Sequence, residues 1–174
     1  MQKAGMICVM GLLCGGLLFA QHDKQKPPDK ASDKGSVDKG SVEKNKATAK
    51  RVFDDLWTGG RYELIDSMYE KNCVVHYATG TVSLQEAVAG GKEWRSAFPD
   101  LVVRAEQVTA NGDIVTVHWV AHGTNSGQGK GLPGKGKPGR AQGTSKFRFD
   151  NSNKIAEVWV EWSEDALRRQ VAEK

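Results

Sequence analysis

The chain has 174 residues, of which 39% are apolar and 26% are charged. This balance is typical of a soluble globular protein, and it excludes a chain that is membrane-embedded or disordered over its whole length. The formal charge is only +4, and the excess Lys lies mainly near the N-terminus and in one glycine-rich loop rather than on a helix or strand face. Nucleic acid is therefore not an expected partner.

The first twenty residues have the pattern of a secretory signal. Lys3 precedes an apolar run over residues 4–20, and Leu18 and Ala20 stand at positions that suit signal peptidase. We therefore predict a signal peptide over residues 1–20 and a secreted or periplasmic location, in the cell envelope, for the rest of the chain.

Two alternatives would make the membrane a partner. The apolar run is close to the roughly 17 to 25 residues that span a bilayer, so an uncleaved signal would act as an anchor. Cys14 could instead be lipidated, although Leu13 precedes it where a small residue is usual. After cleavage Cys73 is the only cysteine, so we expect no internal disulfide and interpret Cys73 as a small core residue.

Residues 21–43 contain almost no large apolar side chains and include the tandem repeat DKGSV. Such a segment cannot bury enough apolar surface to offset its chain entropy. We therefore predict a disordered charged linker over residues 21–43 and one folded domain over residues 44–174.

The folded domain begins with helical periodicity. A first helix is predicted over residues 47–57 and a second, short one over residues 64–69. Ser83 and Glu86 have the spacing of a capping box, which starts a third helix that Pro99 ends.

After the third helix the apolar residues alternate, which indicates strands. One strand is predicted before the third helix, over residues 73–77, and four after it, over residues 101–109, 114–122, 144–149 and 155–162. A loop of Gly, Lys and Pro is predicted over residues 123–143, and a closing helix is capped by Ser163. Because helices come first and a mostly antiparallel sheet follows, the predicted class is α+β.

The order of these elements and their local sequences resemble the SnoaL-like polyketide cyclase and ester cyclase group of the nuclear transport factor 2-like superfamily. The resemblance covers residues 47–170 and rests on LWTGGRYELIDSMYEKNCVVH, AFPDL, NGDIVTVHWVAHGTNSG, GLPGKG and FRFDNSNKIAEVWVEW. It implies a cone in which N-terminal helices pack on a curved sheet around an apolar pocket, and it implies a homodimer. The implied partner is a small hydrophobic molecule that bears a carbonyl or carboxylate, and no cofactor is implied.

The resemblance also implies a set of catalytic residues. It places a histidine after the first strand, which is His76 here, and a glutamate in the last strand, which is Glu157. Glu161 could join them if a bulge or twist turned it inward, and is otherwise a solvated carboxylate at a strand end. In this reading His76 and Glu157 or Glu161 exchange protons with a bound carbonyl compound.

Two departures from the family pattern point away from cyclase chemistry and towards binding or a different reaction. Relatives often read E-H-W-D-x-W-D in the last strand, whereas this chain has Val160 in place of the first Asp. Asn125 stands where relatives often have a histidine, and an amide can orient a carbonyl but cannot shuttle a proton at neutral pH. The predicted substrate-binding residues are Tyr77, Trp94, Trp119, Asn125 and Trp159, of which Tyr77, Trp119 and Trp159 would form a hydrophobic box in a non-catalytic protein.

The sequence gives no convincing metal or phosphate site. His118 and His122 lie four residues apart in a strand, about 13 Å, which is too far for both to reach one ion. Alternation also places them opposite the predicted buried residues of that strand, which are Val115, Val117, Trp119 and Ala121. The run GQGKGLPGKGKPGR is not followed by a helix, so we interpret it as a flap at the pocket mouth or as a solvated loop rather than as a phosphate-binding loop.

Overall fold

The computed structural model describes residues 38–172. The signal peptide predicted over residues 1–20 and the predicted linker up to residue 37 lie outside the described residues. Across residues 38–172, no helix combines the length and the hydropathy needed to cross a bilayer.

The first helix, α1, spans Lys39–Arg51 and so begins inside the segment 21–43 that we predicted to be a disordered linker. The Asp38 carboxylate caps it by accepting hydrogen bonds from two backbone N–H groups of its first turn. The side chain of Asn45 is buried and accepts a hydrogen bond of 2.9 Å from Asn153. The linker prediction is therefore wrong for its last residues, because a cap and a tertiary contact stabilise a helix that has few large apolar side chains.

The chain continues from α1 into a π-helical segment, Val52–Thr58. Its wider turns include a hydrogen bond of 3.0 Å from Gly59 N to Asp54 O, five residues back. A helix was predicted here, but apolar periodicity does not distinguish this hydrogen-bond pattern from the α form. The segment buries three apolar side chains against the sheet: Val52, Phe53 and Leu56.

A 3₁₀ turn, Tyr62–Leu64, and a four-residue helix α2, Ile65–Met68, lead into strand β1, Tyr69–Tyr77. The helical prediction is wrong for Tyr69, which is the first residue of β1 and is buried there. Strand β2, Gly80–Ser83, has only four residues and no alternating pattern, and was not predicted.

Helix α3 spans Leu84–Ala97 and starts with the predicted capping box. Ser83 N donates to the Glu86 carboxylate at 2.8 Å, while Glu86 N donates to Ser83 Oγ at 3.3 Å. The helix ends before Pro99, as predicted.

Two long hairpins and a closing helix form the second half of the domain. They are β3, Val102–Asn111, β4, Ile114–Asn125, β5, Lys137–Phe149, β6, Ile155–Trp162, and α4, Glu164–Ala172. The predicted loop over residues 123–143 is too long, because β5 begins at Lys137 and pairs with β4 from Asn125 onward. The Gly and Pro content of residues 137–143 concealed this part of β5.

The six strands form one curved sheet in the order β2-β1-β6-β5-β4-β3. All neighbouring strands are antiparallel except β1 and β6, which run parallel. The predicted α+β class is confirmed, with the helices on one side of the sheet. We call the side that the helices cover the inner face and the opposite side the outer face.

The inner face carries the main core. Three of the four predicted residues on β4 are buried there, namely Val115, Val117 and Trp119, whereas Ala121 is only partly buried, and His118 and His122 are exposed on the outer face. A second, smaller cluster lies between the end of α3 and α4: Ala97, Phe98, Leu132, Leu167 and Val171.

Candidate functional site

A cavity of about 760 Å³ opens between the inner face of the sheet and the helices. This volume suits a drug-sized molecule. Helical segments contribute aromatic rings to one side of it, namely Phe53, Trp57 and Trp94, and inward-facing residues of β1 and β4 to β6 form the other. Tyr77, Trp94 and Trp119 of the predicted substrate-binding set therefore lie in its lining.

Strands β4 to β6 contribute apolar side chains and one hydroxyl to the inner wall: Trp119, Ala121, Ala141, Ser145, Val160 and Trp162. Trp119 Nε1 donates to Ser145 Oγ at 3.0 Å, so the polar atoms of this pair satisfy each other. Val160, which replaces an aspartate of the family pattern, lines the cavity as its position in the strand predicts.

Gly143 creates the space that the two indoles of the wall occupy. In the strand register it lies beside both Trp119 and Trp162, whose ring centroids are 6.2 Å apart. A Cβ on Gly143 would lie 2.5 Å from Trp119 Cζ2, so only glycine fits there. Trp94 meets Trp162 edge-on at 5.4 Å and extends the aromatic wall onto α3.

A second chamber of about 40 Å³ lies deeper, between the helices and the sheet. It shares Trp57, Tyr77 and Val160 with the main cavity. Tyr62 also lines it, and its buried hydroxyl has no hydrogen-bond partner among the described residues. Burial raises the pKa of both Tyr62 and Tyr77, so both phenols stay neutral at physiological pH.

Apart from Tyr77, the ionisable residues of the lining are Glu86, His122, Lys130, Glu164 and Asp165, and because none of them is buried we place them at the cavity rim. Two of the carboxylates are already bonded, because Glu86 accepts from Ser83 and Glu164 accepts from Arg168 at 2.6 Å. Within residues 38–172, no three His, Cys, Asp or Glu side chains are grouped so that they could hold a metal ion.

His76 and Glu157 meet as the sequence predicts, but on the outer face rather than in the cavity. His76 Nε2 lies 2.7 Å from Glu157 Oε1, and His76 Nδ1 lies 2.8 Å from Thr81 Oγ1. Glu157 also accepts from Arg148 Nη2 at 2.7 Å. The guanidinium of Arg148, and then His76, hold the pKa of Glu157 below its ordinary value.

We expected His76 and Glu157 to meet inside the cavity, and this expectation is wrong because strand alternation turns both side chains away from it. His76 lies between Val75, which is buried, and Tyr77, which lines the cavity, so its own side chain points the other way. Glu157 precedes the buried Val158 in the same manner. Both belong to a bonded surface network that the cavity does not reach.

Glu161 and Trp159 also lie on the outer face. Glu161 is exposed, with Oε1 3.7 Å from Lys146 Nζ, and no bulge turns it inward. Trp159 stacks on the His76 ring at 5.2 Å, so it is not part of the hydrophobic box that we predicted.

Asn125 is fully buried but lies outside the cavity lining. Its Nδ2 donates to Ala97 O at 3.0 Å and its Oδ1 accepts from Gly134 N at 2.9 Å. We call residues 126–136 the strap, because these bonds tie the connection between β4 and β5 to the end of α3. Neither a solvated loop nor an untethered flap describes it, since Leu132 is buried within it.

Sequence reasoning left four residues of the lining out of the predicted site. Alternation in β6 placed Val160 and Trp162 on one face, so a signal for both existed. Ser145 lies near the predicted start of a strand and gave none. Lys130 was one of several strap lysines, and nothing in the sequence distinguished it from the others.

Comparisons with known proteins agree with this architecture. The family model for SnoaL-like polyketide cyclases matches residues 47–171. A protein from Jannaschia sp. CCS1, assigned as a SnoaL-like polyketide cyclase, has a TM-score of 0.69 and 21% identity, and the match covers 76% of this chain and 94% of that one. AclR of Streptomyces galilaeus, assigned as a hydroxylase, has a TM-score of 0.68 and 20% identity over 75% and 96% of the two chains.

TsrD of Streptomyces laurentii is also similar, with a TM-score of 0.63 and 18% identity over 78% of this chain and 97% of that one. No curated protein matches the chain. At these identities the solved structures establish a shared fold and leave the chemistry of the cavity to be argued from its own residues.

Proposed function

Because the chain belongs to the SnoaL-like polyketide cyclase family of the nuclear transport factor 2-like superfamily, we propose that its cavity binds a small, largely apolar molecule without transforming it. One observation carries the proposal. The inner wall presents Trp119, Val160 and Trp162 to the cavity, and the ionisable residues of the lining lie at the rim, apart from Tyr77, whose phenol stays neutral.

The physical basis is apolar burial. A ligand that removes about 200 Å² of apolar surface from water gains roughly 5 kcal/mol before the cost of association. Aromatic rings add directional contacts for a flat or unsaturated ligand. An aldol-type reaction would instead need an acid–base group beside the reacting carbonyl, and Val160 cannot supply one.

The test is binding of N-phenyl-1-naphthylamine, a neutral apolar fluorophore, to the wild-type domain and to a matched pair of variants. Ala141 lines the cavity and the next residue, Gln142, is exposed. Ala141→Phe fills the cavity and should weaken binding at least about tenfold, because the ring takes the space of the fluorophore. Gln142→Phe should bind as the wild type does.

Circular dichroism melting curves of both variants serve as the folding control. Equal affinity of the two variants, or no saturable binding by the wild type, would contradict the proposal.

Acid–base catalysis at the rim is a second candidate, and His122 is the observation that favours it. His122 is among the residues that line the cavity, and its side chain is exposed. If it holds, His122→Gln abolishes exchange of α-hydrogen for deuterium in a bound ketone. Absence of such exchange in the wild type removes this candidate.

We also propose that the domain is exported. The apolar run over residues 4–20 behind Lys3 supports this. Intact mass of the protein from the culture medium or periplasm should correspond to a chain that starts at Gln21. A full-length mass, or a mass that includes a lipid, would instead show that the protein is anchored to the membrane.

A further inference from the structure

Lys130 occupies a defined position at the rim of the cavity. Its backbone has a φ of 52°, which is uncommon for a residue other than glycine. Arg168 Nη1 donates to its carbonyl oxygen at 2.9 Å, which ties this part of the strap to α4. The side chain lines the cavity and is only 23% exposed.

Trp94 supports the ammonium group of Lys130. Nζ lies 5.7 Å from the centroid of the Trp94 ring, within the range of a cation–π contact. Gly90, on the same helix as Trp94, lies beside it, since a Cβ there would lie 3.4 Å from Nζ. The charge is therefore positioned by the strap and by α3 rather than left free in solvent.

The ammonium has no strong anionic partner in the part of the chain that the structure describes. Its nearest carboxylate oxygen, Glu93 Oε2, is 3.7 Å away on a side chain that is 59% exposed. Such an exposed, loosely spaced pair contributes little. The carboxylates of Glu86 and Glu164 are engaged by Ser83 and Arg168. Among residues 38–172, the three N–H donors of this partly buried cation thus have no close acceptor, and the lysine lines the cavity.

We infer that the ligand is an amphipathic anion, an apolar body with one carboxylate, and that Lys130 binds the carboxylate at the rim. This inference rests on the proposed binding function and specifies its ligand class. An apolar chain or ring system fills the cavity against Trp94 and Trp162. The carboxylate exchanges water for the ammonium of Lys130, and Lys130 acts as a specificity-determining residue.

The experiment compares two probes of equal chain length, decanoate and decanol, as competitors of N-phenyl-1-naphthylamine at pH 8. The wild type should bind decanoate about tenfold more tightly than decanol, because a partly desolvated ion pair adds to the same apolar contacts. Lys130→Met should abolish this preference, while decanol still displaces the fluorophore. Lys130→Arg should retain it, and Lys135→Met, which removes an exposed lysine of the strap, should behave as the wild type.

The outcomes separate the two proposals. If neither probe displaces the fluorophore, the binding function itself fails. If both displace it equally in the wild type, the cavity binds apolar molecules but the inference about the anion is overturned. A preference for decanoate that survives in Lys130→Met assigns recognition to another residue, and it also overturns the role of Lys130. The decanol affinity of Lys130→Met shows whether the cavity is intact.

Discussion

The imidazole of His76 and the carboxylate of Glu157 share a hydrogen bond of 2.7 Å that joins β1 to β6 across the parallel pair of the sheet. In the register His76 lies beside Trp159, so Glu157 reaches it from the preceding position on the same face. Glu157 also lies directly opposite Arg148 on β5. One carboxylate therefore links three strands of the outer face.

This arrangement predicts a pH dependence of stability. The pKa of Glu157 is lowered below its ordinary 4.5, first by Arg148 and then by His76. A carboxylate whose pKa is lower in the folded state contributes stability above its unfolded pKa and loses it as the pH falls through the folded value. We expect Glu157→Gln to lower the free energy of unfolding by about 1 kcal/mol at pH 7, after allowance for the partial exposure of the network.

Urea unfolding at pH 7, 5, 4 and 3 measures this effect. The difference between Glu157→Gln and the wild type should shrink toward pH 3. Glu161→Gln, on the same strand and face but exposed, is the control and should follow the wild type. A pH-independent difference for Glu157→Gln would show that its charge is not what stabilises the network.

Asn125→Ala is expected to destabilise the domain and release the strap. The substitution leaves Gly134 N without its buried partner and leaves Ala97 O with only the hydrogen bond of 3.2 Å from Gly127 N. An unsatisfied buried polar group costs about 1–3 kcal/mol, so the free energy of unfolding should fall by at least that amount. Trypsin should cleave after the strap lysines Lys130 and Lys135 in the variant before it cleaves elsewhere.

The exposed Asn111 provides the control, since Asn111→Ala removes the same side chain from a hairpin turn. Equal trypsin sensitivity of the two variants would mean that Asn125 does not hold the strap.

Gly90 and Gly91 are adjacent in α3 but should respond to alanine in opposite directions. A Cβ on Gly91 would lie 2.1 Å from Trp57 Cζ3, whereas at Gly90 the nearest atom is the flexible Lys130 Nζ at 3.4 Å. Gly91→Ala should cost about 1–3 kcal/mol, since Trp57 must move. Gly90→Ala should add up to about 1 kcal/mol, because alanine is the better helix former. Chemical denaturation measures the free energy of unfolding of both variants. A change of the same sign in both would contradict the packing at Trp57.

Tyr62→Phe is expected to preserve or increase stability. The Tyr62 hydroxyl is buried without a protein partner, and its ring contacts with Trp57 and with Lys92 persist in phenylalanine. Removing an unsatisfied hydroxyl relieves a desolvation cost, so the free energy of unfolding should rise by up to about 1 kcal/mol. If thermal unfolding shows that Tyr62→Phe lowers the free energy of unfolding by more than about 1 kcal/mol, the hydroxyl is hydrogen-bonded through water.

Strand alternation made the sheet the most predictable part of the molecule. In β4 and β6 one face is apolar and the other polar, so Val115, Val117 and Val160 could be placed inward from sequence. The start of β5 could not be placed, because Gly139 and Gly143 weaken the strand pattern and are needed only for packing against neighbouring rings. Helix α1 was missed at its start because the Asp38 cap lies inside a repeat with a disordered composition.

The candidate site was only partly predictable, and β1 explains why. Cys73, Val74 and Val75 are all apolar, so they give no alternation from which the orientation of His76 could be read. Its contact with Glu157 was expected, but its face was taken from the family resemblance and proved to be the opposite one. The sequence could not distinguish Lys130 from the other basic residues of the same glycine-rich run, since its backbone conformation and its contact with Trp94 arise only in the folded chain.

The parallel pairing of β1 with β6 sets the order in which this domain can be completed during synthesis. Strands β3 to β5 pair with chain neighbours and can assemble as soon as they leave the ribosome, whereas β1 must wait for the last strand to fill the place between itself and β5. In a nascent chain that stops at Phe149, β1 and β2 would therefore be separate from a three-stranded meander of β3 to β5. The edges of β1 and β5 that later pair with β6 would both be unpaired.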